Sequence, residues 1–476
     1  MALSCLFLSP DFVGYNRSFG SSFSIKTSIH NDSMIKRLIR KLIGQPKGRA
    51  AKFHRIPKSE HGIHPGQISK CARNVTETLQ ERGFQAYVVG GAVRDLLLDI
   101  NPKDFDVVTD ATPEEVKRLF RRSRIIGRRF RLVHVYCGRD LVEVSTFRAS
   151  QSEEKKTQDR RGRILRDNTF GSIDEDAYRR DFSSNALFYD PGNGFILDFC
   201  GGYKDLERKS LRMIGVPSKR YREDPVRMLR AVRLSEKLGL RLEAKTSAPI
   251  KKMTGLLSGV PTARLYDEFI KILKSGCSER AVKALVRYGM HHALFPKLAR
   301  IAEDGEDGAF LRAVFSQTDR RIANGKSVSP AFIFAAILWP DVRAMWDHAP
   351  GESRIVAKLA RAVDEICNQT SKSFIPKRLL LDLREIWLLQ GRMLSMSGKR
   401  SISILQHSRF RAGYDFLELR AKSGEVQTEV VEWWKLFQEV PQGDRFEWLK
   451  VHERKVQVPR RRRTRRVKKT NSHRER

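Results

Sequence analysis

Two aspartates two positions apart, Asp104 and Asp106 in the stretch PKDFDVV (residues 102–108), stand out in a chain dominated by positive charge. Side chains on a strand alternate between faces, so the two carboxylates share one face while Phe105 points into a core. Like charges held side by side repel, and a bridging cation is the simplest remedy. A turn carrying two solvated acids is the other reading of this stretch alone. Paired acids that hold Mg²⁺ beside a triphosphate are what phosphoryl or nucleotidyl transfer requires.

About ten residues upstream, VVGGAVRD (88–95) reads as a strand, two glycines and a helix start. Gly90 and Gly91 let backbone approach a bulky anion, and the N–H groups of a helix N-terminus favour phosphate. Arg94 falls in the first turn, where its charge opposes the helix dipole unless an anion is present. The spacing fits neither a P-loop nor a dinucleotide fingerprint, and a purely structural Gly-Gly turn is the alternative. Asp181, in RRDFSSNAL beside Arg179 and Arg180, is the candidate third carboxylate, with an ordinary Asp–Arg salt bridge as the plainer reading. In YREDPVRMLRAVR (221–233), Asp224 is placed to cap a helix with Pro225 in its first turn. Arg227, Arg230 and Arg233 recur every three residues and form a stripe that suits an anionic nucleotide, while Asp224 and Arg227 offer an acceptor and donors to a base edge. A solvated face with one capping acid is the alternative.

The elements that must position these groups follow from hydropathy and caps. A helix is predicted near 66–82, then a strand AYVV, a helix AVRDLLL and a strand DFDVVT. Thr112 caps a helix whose first position is Pro113 and whose first turn carries acids. RIIG, RLVHVYC and LVEVSTFR read as strands, and 149–166 as a charged loop. DEDAYRRDFSSNALFYD reads as a helix, followed by a strand FILDF and a turn at Gly201-Gly202. Beyond about residue 215 the patterns are helical. The expected organisation is an irregular basic segment over 1–65 with a short basic helix near 34–43, a mixed α/β head over 66–214, a helical neck over 215–290, a helical body over 291–455 and a disordered basic tail over 456–476.

At 476 residues the chain exceeds one compact core, and about two to four domains are expected. No apolar run reaches the roughly 18 residues of a spanning helix, so no membrane insertion is expected. The net charge is +36. Residues 34–58 contribute +9 and 460–476 another +9, leaving +18 between them. A polyanion, nucleic acid first, is the economical partner. Six cysteines lie far apart with no C-x-x-C pair, a spacing that supports neither a zinc site nor a disulfide framework and reads as reduced cytosolic thiols, with no disulfide-linked partner. Met34 opens a basic amphipathic stretch and is a plausible start, with 1–33 as an over-long leader or a transit segment.

GGAVRD, DFDVV, RRDFSSNAL and REDPVRMLRAVR, in this order, resemble the class II nucleotidyltransferases, which comprise CCA-adding tRNA nucleotidyltransferases and bacterial poly(A) polymerases. The family usually has Thr where this chain has Ser183, which keeps the hydroxyl. The resemblance implies an α+β fold with a polymerase-beta-like head and an all-α body. It implies metal binding by Asp104 and Asp106, completion of the acidic site by Asp181, and triphosphate binding by Gly90, Gly91 and Arg94. It further implies nucleotide binding by Arg179, Arg180, Asp224, Arg227, Arg230 and Arg233. IIGRRFRLVHV (125–135), IPKRLLLDLREIW, FRAGYDFLELRA and the tail PRRRRTRRVKK are similar to the poly(A) polymerase branch. That branch implies AMP transfer from ATP to RNA 3′ ends without a template, with two Mg²⁺ ions, in the cytoplasm and alongside RNA-degradation machinery. His291-His292 do not form an H-x-x-x-H-D phosphohydrolase motif. Arg460, Arg461, Arg462, Arg463, Arg465, Arg466, Lys468 and Lys469 would bind RNA through its phosphates, without reading bases. The alternatives are a CCA-adding enzyme and, in another class, a non-catalytic RNA-binding protein.

Overall fold

The computed structural model describes residues 53–127, 131–149, 170–347, 355–370, 375–396, 398–452 and 454–455. The expected basic helix near 34–43, the 149–166 loop (save its first residue) and the Arg/Lys tail lie outside the described residues.

An eight-stranded sheet forms the head. Its strands are β1 (His54–Pro57), β2 (Ala86–Val89), β3 (Asp106–Thr109), β4 (Ser123–Ile126), β5 (Leu132–Cys137), β6 (Asp140–Thr146), β7 (Leu187–Asp190) and β8 (Phe195–Asp198), in the spatial order β1-β8-β7-β2-β3-β6-β5-β4. Every pair is antiparallel except β3 with β6, which run parallel and place Asp106 opposite Glu143. The segment 1–65, expected to be irregular, therefore supplies an edge strand, because His54–Pro57 pairs with Phe195–Asp198. Four residues around one buried Ile56 carry too little periodicity to be read as a strand from sequence.

Helix α1 (Lys70–Glu81) packs Val75 and Leu79 beneath the sheet and is capped by the Ser69 hydroxyl, which accepts from the Ala72 N–H. Helix α2 (Gly91–Leu97) starts from Gly90, whose φ of 80° lies in the left-handed region that glycine tolerates. Helix α3 (Pro113–Leu119) has the expected capping box between Thr112 and Glu115, a feature that contributes about 1 kcal/mol. Helix α4 (Ile173–Arg179) is shorter than the helix expected there. The chain extends at Arg180, makes a 3₁₀ turn over Ser183–Asn185 and enters β7, so Asp181 sits in a connection. The Phe182–Ala186 stretch is drawn into the core by burial of Phe182, Ala186 and Leu187, which overrides its helical pattern.

Among the described residues beyond the head the chain is helical apart from two short two-stranded ladders, one of which pairs Arg241–Leu242 with Ser210–Leu211 of the head. Helices α5 (Pro217–Glu223) and α6 (Val226–Leu238) join the head to α7 (Thr262–Leu273) and α8 (Ser278–Arg287). The body follows with α9 (Glu306–Ala323), α10 (Pro330–Asp347), α11 (Ile355–Thr370), α12 (Lys377–Met393), α13 (Phe410–Lys422) and α14 (Thr428–Glu439). One apolar core runs from the head into this body, and a second gathers Trp433, Trp434, Phe437 and Leu449 near the C-terminal end. Three fully buried tryptophans keep their N–H groups bonded: Trp339 to Glu425 at 2.8 Å, Trp387 to the Ala335 carbonyl at 3.0 Å and Trp434 to the Met393 carbonyl at 2.8 Å. No described helix is long and apolar enough to cross a membrane.

Candidate active site

The parallel pairing of β3 with β6 builds the acidic part of the site. Asp106 opens β3, Asp104 lies two residues earlier in the preceding loop, and Glu143 is the β6 residue opposite Asp106. Val142 and Val144 point into the core, so alternation turns Glu143 to the open face. Asp104, Asp106, Asp140 and Glu143 line one cavity of about 550 Å³, together with Ser69, Lys103 and Arg139. Partial desolvation by the surrounding chain, then the charge of Glu143, pushes the Asp106 carboxyl up to about 6; Asp104 adds to the rise and Arg180 opposes it. The site thus holds carboxylates whose mutual repulsion the chain itself only partly answers.

Asp106 also walls a second cavity of about 490 Å³ of opposite character, lined by Gly90, Gly91, Arg94, Arg148, Arg179, Arg180, Arg230 and Arg233. Arg94 is almost fully buried and anchored, its guanidinium donating to Asp95 Oδ1 at 2.8 Å and Asn185 Oδ1 at 2.6 Å. Arg180 is fixed by Asp176 at 2.7 Å, and a Cβ on Gly90 would lie 3.5 Å from its guanidinium. Arg230 and Arg233 project from α6 and are held by Asp181 at 2.6 Å and Glu268 at 2.5 Å. Each of the three arginines of the stripe read from the sequence has an acid partner.

Asp181 accepts from Arg230 and, at 2.9 Å, from the Asn185 amide and the Phe182 N–H. Burial works to raise its carboxyl, but Arg230 and these donors outweigh it and hold the group below the usual carboxylate range. The acid that faces Asp106 across the sheet is Glu143, which the sequence reading did not single out. Its signal was the alternation in LVEVST, but its partner strand lies more than thirty residues away. Asp224 pairs with Arg264 at 2.8 Å, and Arg227 with Glu223 at 2.9 Å, outside the arginine-lined cavity. Arg179 lines that cavity, and its carbonyl accepts from Arg220 at 2.6 Å. Asp224 accepts from the Val226 N–H as expected of a cap, and α6 begins with Pro225 just outside it. The eight tail residues expected to bind RNA lie outside the described residues.

Among the described residues no three acids, histidines or cysteines gather closely enough to enclose a metal ion unaided. Magnesium is commonly held by one or two carboxylates with substrate phosphates and water completing its octahedron. An all-oxygen donor set at the edge of an arginine-lined cavity fits that mode of binding.

A sheet that presents paired acids beside a glycine turn, followed by an arginine-bearing helix and an all-helical body, defines a nucleotidyltransferase. Residues 86–212 match the Poly A polymerase head domain, 239–301 the probable RNA and SrmB-binding site of polymerase A, and 351–469 the polymerase A arginine-rich C-terminus. Poly(A) polymerase I of Escherichia coli O6:H1 is 43% identical over 434 residues, covering 88% of this chain and 93% of that protein. Poly(A) polymerase I of Haemophilus influenzae is 39% identical over 447 residues, covering 88% and 99%. A CCA-adding enzyme of Bacillus pumilus is 38% identical over 220 residues, only 46% of this chain and 54% of that enzyme. A solved tRNA-processing enzyme, 21% identical, shares the fold with a TM-score of 0.54 over 82% of this chain and 98% of that one. The chain belongs to the bacterial poly(A) polymerase family, and it is a polynucleotide adenylyltransferase that extends RNA without a template.

Proposed function

We propose that this chain transfers AMP from ATP to RNA 3′ ends at the junction of its two cavities. The observation that carries this reading is Asp106, which walls an acid-lined and an arginine-lined cavity at once. Gly90, Gly91 and Arg94 hold the triphosphate, and Arg179, Arg180, Arg230 and Arg233 balance its remaining charge. Asp104, Asp106 and Glu143 would hold up to two Mg²⁺ ions, whose chemistry would be to lower the pKa of the attacking hydroxyl and balance charge on the leaving pyrophosphate. Asp181 acts through Arg230 and Asn185, fixing two groups that face the nucleotide. The RNA 3′-oxygen attacks the α-phosphorus opposite the pyrophosphate, which leaves toward the Gly90–Arg94 turn. No side-chain base is assigned. Arginines anchored before the substrate arrives need no reorganisation during the reaction, which is the source of electrostatic catalysis here.

Asp224 and Arg227, with Arg264, read the base edge. The neck and the basic tail carry RNA, the neck coinciding with the segment matched by the RNA-binding model. The setting is cytoplasmic RNA turnover alongside degradation enzymes. The test is incorporation of each of the four NTPs onto an oligoribonucleotide and onto tRNA lacking its CCA end. Strong ATP incorporation on the oligoribonucleotide, lost in Asp104→Ala with Asp106→Ala, is expected. Unchanged tailing in that variant refutes the site, and CTP incorporation confined to tRNA refutes the substrate.

A further inference from the structure

The sequence reading expected reduced thiols throughout, yet Cys71 and Cys137 are disulfide-bonded, with Cα atoms 5.7 Å apart and 66 residues between them in sequence. That Cα separation is within the ordinary range for a bridge. Sequence spacing hid the pair because the sheet, not the local chain, brings α1 over the end of β5. The bond's position is what gives it consequence. Cys71 is the second residue of α1, two after Ser69, which lines the acidic cavity. Cys137 is the last residue of β5 and leads through Gly138 into Arg139, Asp140 and Leu141, which form another wall of that cavity before Glu143 follows on β6. Gly138 has a φ of 67°, so the hairpin turns on a left-handed residue.

We propose that the Cys71–Cys137 bond is a thiol–disulfide exchange site that ties two walls of the acidic cavity together, so that reduction by a dithiol weakens nucleotide binding. The consequence for binding rests on the reading of this cavity as the reaction site. Cys137 is a partly exposed residue and Cys71 is buried, so a dithiol's thiolate attacks Cys137 Sγ. The Cys137–Cys71 bond breaks and Cys71 leaves as a thiolate in the first turn of α1, where the helix N-terminus favours negative charge before it takes a proton. The dithiol's second thiolate then attacks the mixed disulfide, releasing Cys137 as a thiol and leaving the dithiol oxidised; two electrons enter the protein. The described free cysteines do not compete. Burial pushes the Cys200 thiol up to about 12 and Cys367 up to about 11, and it also raises Cys277.

The experiment uses the full chain in two redox states. Polyethylene-glycol maleimide added after denaturation should label four of the six cysteines before reduction and all six after dithiothreitol. ATP titrations of tailing should then show KM severalfold higher in the reduced protein, with kcat changed less. Cys137→Ser and, separately, Cys71→Ala should show the higher KM in both states. Six labels before reduction, or one KM in both states, overturns the proposal. Four labels with no tailing in either state refutes the reading of the cavity and the proposed consequence with it.

Discussion

Replacing Glu143 by Gln and, separately, Asp181 by Ala divides the acids that serve the reaction directly from the one that serves through its neighbours. Glu143 is exposed, sits opposite Asp106 and is a main cause of the rise of that carboxyl to about 6. Glu143→Gln removes a like charge, so the Asp106 carboxyl should titrate lower and the metal-free fold should be unchanged or slightly more stable. It also removes an oxygen anion where charge is balanced during transfer. A loss of about 10²–10³ in kcat is expected, the scale of removing one preorganised group from a reacting centre. Asp181→Ala strips the hydrogen-bonded acid from Arg230, whose side chain is two-thirds buried, and takes an acceptor from the Asn185 amide nitrogen while its Oδ1 still accepts from Arg94. Breaking such a pair costs about 3–5 kcal/mol, which a melting curve registers as a drop of several degrees. The assays are steady-state AMP incorporation across a Mg²⁺ titration and thermal melts of both proteins without nucleotide. A Glu143→Gln protein with wild-type kcat and Mg²⁺ dependence refutes the argument from the β3–β6 register. An Asp181→Ala protein that melts like wild type refutes the anchoring role.

The remaining expectations concern pH, selectivity and RNA. A carboxyl whose folded pKa is raised contributes stability below its unfolded value, and that contribution is lost as pH rises through the folded one. Between the ordinary carboxylate range and about 6, Asp106 should therefore weaken the metal-free fold, and Mg²⁺ or Asp106→Asn should remove that part of the profile in pH-resolved melts. Tailing should fall as pH drops below about 6, as protons compete with metal for the same carboxylate. Arg264→Ala frees Asp224 from an exposed pair that contributes about 0–1 kcal/mol, so melting should hold while preference for ATP over CTP declines; an unchanged ratio of kcat/KM values refutes the base-reading role. Deleting residues 460–476 removes ten basic side chains. The slope of log Kd for single-stranded RNA against log salt should flatten by about 0.7 for each phosphate that the tail had neutralised, and an unaltered slope refutes a tail on the RNA.

What was legible in the sequence was what local chemistry determines. Thr112, Pro113 and Glu115 announce a helix start by themselves, and the structure has the capping box they encode. AYVV, RLVHVYC and LVEVST carry enough alternation to be strands wherever they pair. Gly90 and the arginines at 230 and 233 stood out because they carry a special backbone or unusual charge density, and they line one cavity. Long-range register was illegible. Neither Glu143 opposite Asp106 nor Cys71 against Cys137 is implied by anything within ten residues of either partner. Sequence shows the two arginines beside Asp181 but not Arg230, which reaches it from 49 residues away. His54–Pro57 was too short to show a period, and its strand character comes wholly from the neighbour it joins.

The parallel ladder between Asp106 and Glu143 makes their proximity a matter of counting rather than of side-chain choice. Deleting one residue from the start of β6 would swing every following side chain to the opposite surface, setting valines in water and a glutamate in oil. Length changes should therefore be far better endured in the meander between these two strands than within either of them. The spacing inside each strand is the measure by which this enzyme keeps its acids together.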